Sequence, residues 1–310
     1  MRYIIPCFLI MLGLTQCKKD SPQDPAAKNI FTVSPDPDYL LDTVTVSVKT
    51  NNEIHYGYFF SYDNLNRVTK IKNYEYFGNI PLVNNGTWTF NYQGNSSNPE
   101  SMDQVSYTNC RVYFFYNADG SKNRDSIVST ATPTTRAVRK YDYDPAFNYA
   151  VARHYSNGSL KPSLMDSATF INYNCNAIYS KEMSWTGSIA YTYEWFDNFY
   201  AQVDNRPNPF SKLNIFPALF LAPYLKMTNP LTGNMWKSNI VMDFAFQNNP
   251  LKYKFYDHAI GGYSHIDVST AEEETYDSKN RITKKIFADS TGNVYGMSYF
   301  DRYYATYKYR

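Results

Sequence analysis

The stretch Tyr62-Asp63-Asn64-Leu65-Asn66-Arg67-Val68-Thr69-Lys70-Ile71 decides the fold. Asp is favoured at the first position of a type I turn. In a three-residue hairpin loop, the residue that closes such a turn sits in the left-handed region and starts a bulge. Gly fits that site best and Asn is the usual substitute. Asp63 therefore opens a turn and Asn66 takes the left-handed site. On the strand before it, alternation puts Phe60 and Tyr62 on one face and Ser61 and Asp63 on the other. Asp277-Ser278-Lys279-Asn280, followed by Arg281-Ile282, repeats the unit. Asn117-Ala118-Asp119-Gly120 and Asp289-Ser290-Thr291-Gly292 fit the same turn with Gly in the left-handed place.

Outward from this stretch the pattern recurs: an aromatic or Ile, any residue, Tyr or Phe, then a turn-prone polar residue. Eight copies are present, at 60–63, 90–93, 114–117, 141–144, 171–174, 191–194, 244–247 and, with Glu274 in first place, 274–277. A recurring unit fixes architecture, because each copy is a strand that must pair with its neighbours. An apolar residue follows the second aromatic by six positions at Tyr62/Val68, Tyr143/Tyr149, Tyr193/Phe199 and Tyr276/Ile282, marking the return strand. Asp277 and Asp289 lie twelve apart, which leaves strands of about eight residues between tight turns. The class is all-β: an antiparallel meander of repeated hairpins. Such a sheet must close into a barrel or curve strongly to hide its edges.

One long gap separates Tyr193 from Phe246. It holds the very apolar run Leu213-Asn214-Ile215-Phe216-Pro217-Ala218-Leu219-Phe220-Leu221-Ala222-Pro223-Tyr224-Leu225. Two prolines argue against a long regular helix, and the run is short for a membrane span. One short helical or apolar insertion near 211–227 is expected, plugging an open end or covering a face of the sheet.

The chain has 310 residues, with 31 Tyr, 20 Phe and 4 Trp, a composition suited to pleated, half-buried surfaces. A mean hydropathy of -0.52 excludes a bundle of membrane helices. Lys and Arg number 30 against 28 Asp and Glu, so nothing points to nucleic acid. At the start, Arg2 precedes an apolar run from Ile4 to Leu14, the form of a signal peptide over residues 1–16. Leu14-Thr15-Gln16-Cys17 then resembles a bacterial lipobox, in which Cys17 would be diacylated and become the new N-terminus. The following polar segment, with Pro22 and Pro25, reads as a tether through residues 17–40. A single repeat-built β domain over 41–310 follows. The address implied is the outer membrane, held by a lipid anchor, on the periplasmic or cell-surface face.

A family resemblance rests on several of these residues. Tyr-Asp-x-x-Asn-Arg-Val-Thr-Lys-Ile at 62–71 and Tyr-Asp-x-x-Asn-Arg-Ile-Thr-Lys-Lys-Ile at 276–286 resemble the tyrosine–aspartate repeats of the RHS type. Asp204-Asn205-Arg206-Pro207-Asn208-Pro209-Phe210, then the apolar run, then Lys237-Ser238-Asn239-Ile240-Val241, is similar to a family of secreted Bacteroidota lipoproteins of unknown function. That resemblance covers roughly residues 40–310. It implies a porin-like β fold and a cell-envelope location, and it supplies no catalytic residues.

Chemistry-bearing motifs are sparse. No nucleophile elbow, phosphate loop or His-Glu-x-x-His stands in the chain, so no cofactor is expected and the chain reads as a non-enzyme. His258 and His265 flank Gly261-Gly262, which reads as a hairpin turn rather than a metal site. Cys110 and Cys175 could form a disulfide in an oxidising compartment or serve as two small buried hydrophobes. Asp42-Thr43-Val44, Asp125-Ser126-Ile127 and Asp166-Ser167-Ala168 match a three-residue O-glycosylation signal of this bacterial group, a match common by chance. Trp88, Trp185, Trp195 and Trp236 are the candidates for stacking on a ligand. The function expected is a binding or scaffold module of the envelope, with a glycan or lipid as ligand. A transmembrane β-barrel is the alternative. A cryptic hydrolase, betrayed by paired carboxylates in a cleft, is a further one.

Overall fold

Three of the left-handed sites read from the sequence are where the chain turns. Asn66 and Asn280 each have φ 60° and Gly120 has φ 84°. In each turn the opening residue and the left-handed residue close the loop. Asp63 N–H donates to Arg67 O (3.0 Å) and Asn66 N–H to Asp63 O (3.1 Å), and Asn117/Gly120 and Asp277/Asn280 repeat this. The computed structural model describes residues 36–310 apart from 49–53, 78–79, 106–109, 131–135, 145–147, 157, 172–173, 187–188, 194–197, 221–246, 259–263 and 294–295.

Between the turns run seventeen strands among the described residues. In order these are β1 (Leu41–Val48), β2 (Ile54–Tyr62), β3 (Val68–Phe77), β4 (Ile80–Asn91), β5 (Ser101–Val105), β6 (Cys110–Tyr116), β7 (Lys122–Ser129), β8 (Arg136–Tyr143) and β9 (Tyr149–Ser156). There follow β10 (Leu164–Ile171), β11 (Asn174–Thr186), β12 (Ile189–Tyr193), β13 (Asn198–Pro207), β14 (Asn248–His258), β15 (Ser264–Tyr276), β16 (Ile282–Asn293) and β17 (Gly296–Tyr309). Apart from β12 and β13, each strand pairs antiparallel with its sequence neighbours, and β17 pairs back onto β1. The expected barrel-like meander is what forms. One irregularity interrupts it: among the described residues β12 and β13 both pair with β11, at Glu182–Thr186 and at Ala177–Tyr179, and show no register with each other. Among the described residues the hairpin expected from the spacing of Tyr193 and Phe199 does not form, and the two segments together occupy one position of a sixteen-position wall.

Three other local expectations are corrected. Asp289–Gly292 is not a turn: β16 runs through it, with Asp289 opposite Ser269 and Asp301, and the chain reverses between Asn293 and Gly296. Two long neighbours supply the ladder partners that override the turn preference of Asp-Ser-Thr-Gly, so β16 has 12 residues rather than about eight. In the copy at 171–174, Phe170 is buried and Ile171 lies 61% exposed, so the pattern is one residue out of register and its inward face is the opposite one. After Tyr143 the loop is longer, and Ala150 rather than Tyr149 turns inward.

Elsewhere the repeat aims its aromatics into the barrel. Phe60, Phe90, Phe114 and Tyr141 are buried, each two residues before a Tyr at or just past the end of its strand. The last strand does the same with Tyr307 and Tyr309. The apolar insertion enters from the end where these tyrosines sit, since it connects Pro207 to Asn248, residues paired at that rim. It opens with a 3-10 turn, Pro209–Lys212, capped by the Asn208 side chain, and continues into a one-turn helix α1 (Phe216–Leu219). Pro209 and Pro217 occupy first-turn positions, where a missing N–H costs nothing. Phe210, Ile215, Phe216 and Phe220 are fully buried. Phe210 meets Phe60 of β2 and Tyr307 of β17 (ring centres 6.5 and 6.3 Å), while Phe220 stacks on Phe170 of β10 at 5.5 Å. Strands on opposite sides of the ring thus share one plug. Burying each such ring contributes roughly 1.5–3 kcal/mol.

Candidate functional site

The rim around the plug is a repeated device. Four terminal tyrosines donate their hydroxyls to the carbonyl at the start of the preceding strand or just before it: Tyr62 to Leu41 O (2.7 Å), Tyr92 to Val68 O (2.6 Å), Tyr116 to Pro99 O (2.8 Å) and Tyr309 to Ile282 O (2.9 Å). Burial pushes all four hydroxyls above the ordinary tyrosine range, so they remain protonated donors. Arg67 grips Asp63 (Nε to Oδ2, 2.7 Å), and Arg281 grips Asp277 in the same way. The chain's entry strap closes on this rim as well. Asp38 pairs with Lys279, Arg281 donates to Asp38 O, and Arg310 N–H donates to Leu40 O (2.9 Å).

Two polar pins tie the plug to the wall. Asn214 Oδ1 accepts from Val68 N–H (2.9 Å), and its Nδ2 donates to Tyr92 Oη (2.8 Å) and Ser97 O (2.7 Å). Lys122, fully buried on β7, donates from Nζ to Ala218 O (2.8 Å) at the end of α1. Its charge is answered by Asp125 at 3.6 Å, which also accepts from Tyr141 Oη (2.6 Å). Burial dominates and pulls the Lys122 pKa down to about 8, with Asp125 opposing.

The candidate ligand site lies where the outer wall meets the rim, with Tyr116 and Tyr143 on its inner side. Beside the β6–β7 hairpin and across β8 lies an open cleft of about 850 Å³, lined by residues that include Phe115, Asn117, Asn123, Arg124, Lys140 and Asp142. Register explains how it is furnished. Phe115 lies opposite Arg124, Arg124 opposite Lys140, and Lys140 opposite Arg153, in one row across four strands. The Arg124 guanidinium lies 3.9 Å from the Phe115 ring centre, and Lys140 Nζ lies 5.1 Å from that of Tyr155. The nearby carboxylates are engaged. Asp142 pairs with Arg153, Asp119 Oδ1 accepts from Ser121 N–H (2.9 Å), and Asp144 Oδ1 accepts from Tyr149 N–H (3.0 Å). Arg124 and Lys140 form no ion pair among the described residues.

The residues singled out from the sequence are not brought together here. Trp88 is buried on the inner face of β4, its indole Nε1 without a hydrogen-bond acceptor among the described residues. Trp185 lies on β11, while Trp195 and Trp236 fall outside the described residues, as do Cys17 and the Gly261-Gly262 pair. Cys110 and Cys175 are separate buried thiols, Cys110 Sγ donating to Gln104 Oε1 and Cys175 Sγ to Ala177 O, each at 3.7 Å. Two carboxylates do converge on one hydroxyl. Tyr276 Oη lies 2.7 Å from Glu274 and 3.1 Å from Asp204 at the plug rim, with Arg206 over the ring. The cleft residues were missed because their signal is cross-strand register, which a single sequence with several degenerate copies does not yield. Tyr307-Lys308-Tyr309-Arg310 was missed because Arg replaces the turn-prone fourth residue.

No family model matches the chain, and no curated protein is significantly similar to it. Among solved structures it is similar to a porin-like protein from Bacteroides uniformis, with a TM-score of 0.48 and 10% identity over 87% of this chain and 98% of that one. It is also similar to a porin-like protein from Bacteroides vulgatus, with a TM-score of 0.43 and 9% identity over the same shares.

Proposed function

We propose that this chain is a lipid-anchored envelope protein whose plugged barrel is a scaffold and whose outer-wall cleft binds a glycan. One observation carries the reading: the plug-end interior is filled by Phe210, Phe216 and Phe220, whereas the wall beside β6–β8 opens into a cleft. Its amide, hydroxyl and charged lining suits a hydroxyl-rich ligand better than an acyl chain. The outer wall supports a water-facing barrel over a membrane-spanning one. Arg111–Asp103, Arg153–Asp142 and Arg302–Glu272 are ion pairs on its outward faces, where lipid-facing strands carry apolar side chains.

Two experiments test the reading. Full-length protein, purified with its anchor in mild detergent, is screened on a glycan array beside an Asn123→Ala/Lys140→Ala variant. Specific binding that the variant loses supports the cleft. Binding to no glycan, or undiminished binding by a folded variant, overturns it. The anchor is read separately: intact mass of the membrane-purified chain shows diacylation at Cys17, absent in Cys17→Ser.

A further inference from the structure

We propose that the cleft selects an acidic saccharide, whose oxyanion is held between Arg124 and Lys140. This rests on the reading of the cleft as a glycan site and goes one step further, to the charge of the glycan.

The register is the first argument. Arg124 and Lys140 are directly opposite each other on neighbouring strands, and Arg153 continues the row. Paired strands lie about 4.8 Å apart, and like charges placed directly opposite destabilise a sheet. An anion seated between the two heads reverses the sign of that interaction. The second argument is the state of the acids. Asp142 is taken by Arg153, and Asp119 and Asp144 by hairpin N–H groups. The positive charge is therefore concentrated in the row, where Arg124, Lys140 and Arg153 face only Asp142, while Asp119 and Asp144 stand at the hairpin end of the cleft.

Preorganisation is the third argument. Phe115 and Tyr155 act as shelves under the two cations, so less side-chain freedom is lost on binding. A guanidinium held against a ring keeps its N–H groups for a carboxylate or sulfate, which it can engage through two parallel hydrogen bonds. Arg124 also covers a face of Phe115, which removes that face as a stacking platform for a nucleobase. Asn123 is exposed beside the pair and supplies donors and an acceptor for sugar hydroxyls. A cleft of about 850 Å³ falls within the range of small-ligand sites.

The test is calorimetric titration of the full-length protein in detergent with five probes: a galacturonate trisaccharide, a sulfated disaccharide, a neutral trisaccharide, an acidic peptide and inorganic sulfate. The Arg124→Gln/Lys140→Gln variant is run alongside. A charge-assisted hydrogen bond contributes about 1.5–3 kcal/mol, so at least one acidic saccharide is expected to bind about tenfold or more tighter than the neutral one. The variant should lose that advantage and keep or raise its thermal midpoint, since the like-charge pair is gone. The two acidic sugars separate a carboxylate from a sulfate ligand. Equal affinity for neutral and acidic sugars overturns the anion assignment and leaves the glycan reading standing. Silence with every saccharide overturns both. Sulfate or the peptide binding as tightly as the acidic sugars overturns the saccharide class.

Discussion

The guanidinium of Arg67 lies 4.4 Å from the ring centre of Tyr92, one hairpin further along the wall. Arg281 takes the same position 4.3 Å over Tyr309. Each arginine also grips the Asp four residues before it, and Arg67 reaches Gly94 O (2.7 Å) and Ser96 O (2.8 Å) as well. Asp-x-x-Asn-Arg therefore does more than turn the chain. At these two hairpins it sends a cation sideways onto the tyrosine at the end of a nearby strand and so clasps that strand end.

Replacing Arg67 by Lys tests this lock. Charge is kept, while the fork onto Asp63, the two carbonyl contacts and the guanidinium–ring contact are lost. The expected cost is about 1–2 kcal/mol, read as a lower urea midpoint. In a double-mutant cycle with Tyr92→Leu, coupling near zero would show that the stacking contributes nothing.

Asn66 and Asn280 hold φ at 60°, so their substitution separates backbone from side-chain effects. A β-branched residue there meets the left-handed penalty, about 1–2 kcal/mol, while Gly is expected within a few tenths of wild type. Asn66→Val should lower the thermal midpoint and Asn66→Gly should not. Equal effects of the two substitutions would remove backbone conformation as the reason for Asn.

These two sites show how far the sequence could be read. Turn chemistry is local, so Asp63, Asn66, Asn117, Gly120, Asp277 and Asn280 declared themselves, and with them the meander. The plug was legible as an apolar run with two prolines. What stayed hidden depends on partners distant in sequence. Asp289-Ser290-Thr291-Gly292 looks like a turn until β15 and β17 occupy both its edges. Phe170, not Ile171, faces inward, because register across β9 and β11 outvotes the motif. The cleft depends on Arg124, Lys140 and Arg153 sharing one row, and strands of unknown register cannot reveal that.

Asn214 is the pin between plug and wall. Its Oδ1 satisfies the Val68 N–H, which the β2–β3 bulge leaves out of the ladder. Asn214→Ala strands a buried donor and also frees Tyr92 and Ser97, at about 1–3 kcal/mol for the stranded group. The expected signature is faster amide exchange at Val68 and a lower thermal midpoint. Unchanged protection at Val68 would mean that the plug is held by its aromatics alone.

Lys122 makes stability depend on pH in a window set by burial. Its pKa is about 8 when folded, against 10.5 as the unperturbed value. Below about 8 both states carry the proton, and the cost of burying the charge is present in full. Between the two values the unfolded chain binds a proton that the folded chain does not, so raising the pH through this window stabilises the fold. Lys122→Met removes the titration and keeps most of the volume. Relative to that variant, the wild type is expected to gain on the order of 1–2 kcal/mol between about pH 7 and about pH 9.5. Urea unfolding of both proteins at the two pH values reads the difference directly, and tyrosine titration common to both cancels. A wild-type-minus-variant difference that stays flat, or moves the other way, would show that Asp125 and the Ala218 carbonyl hold the Lys122 charge at no cost in the interior.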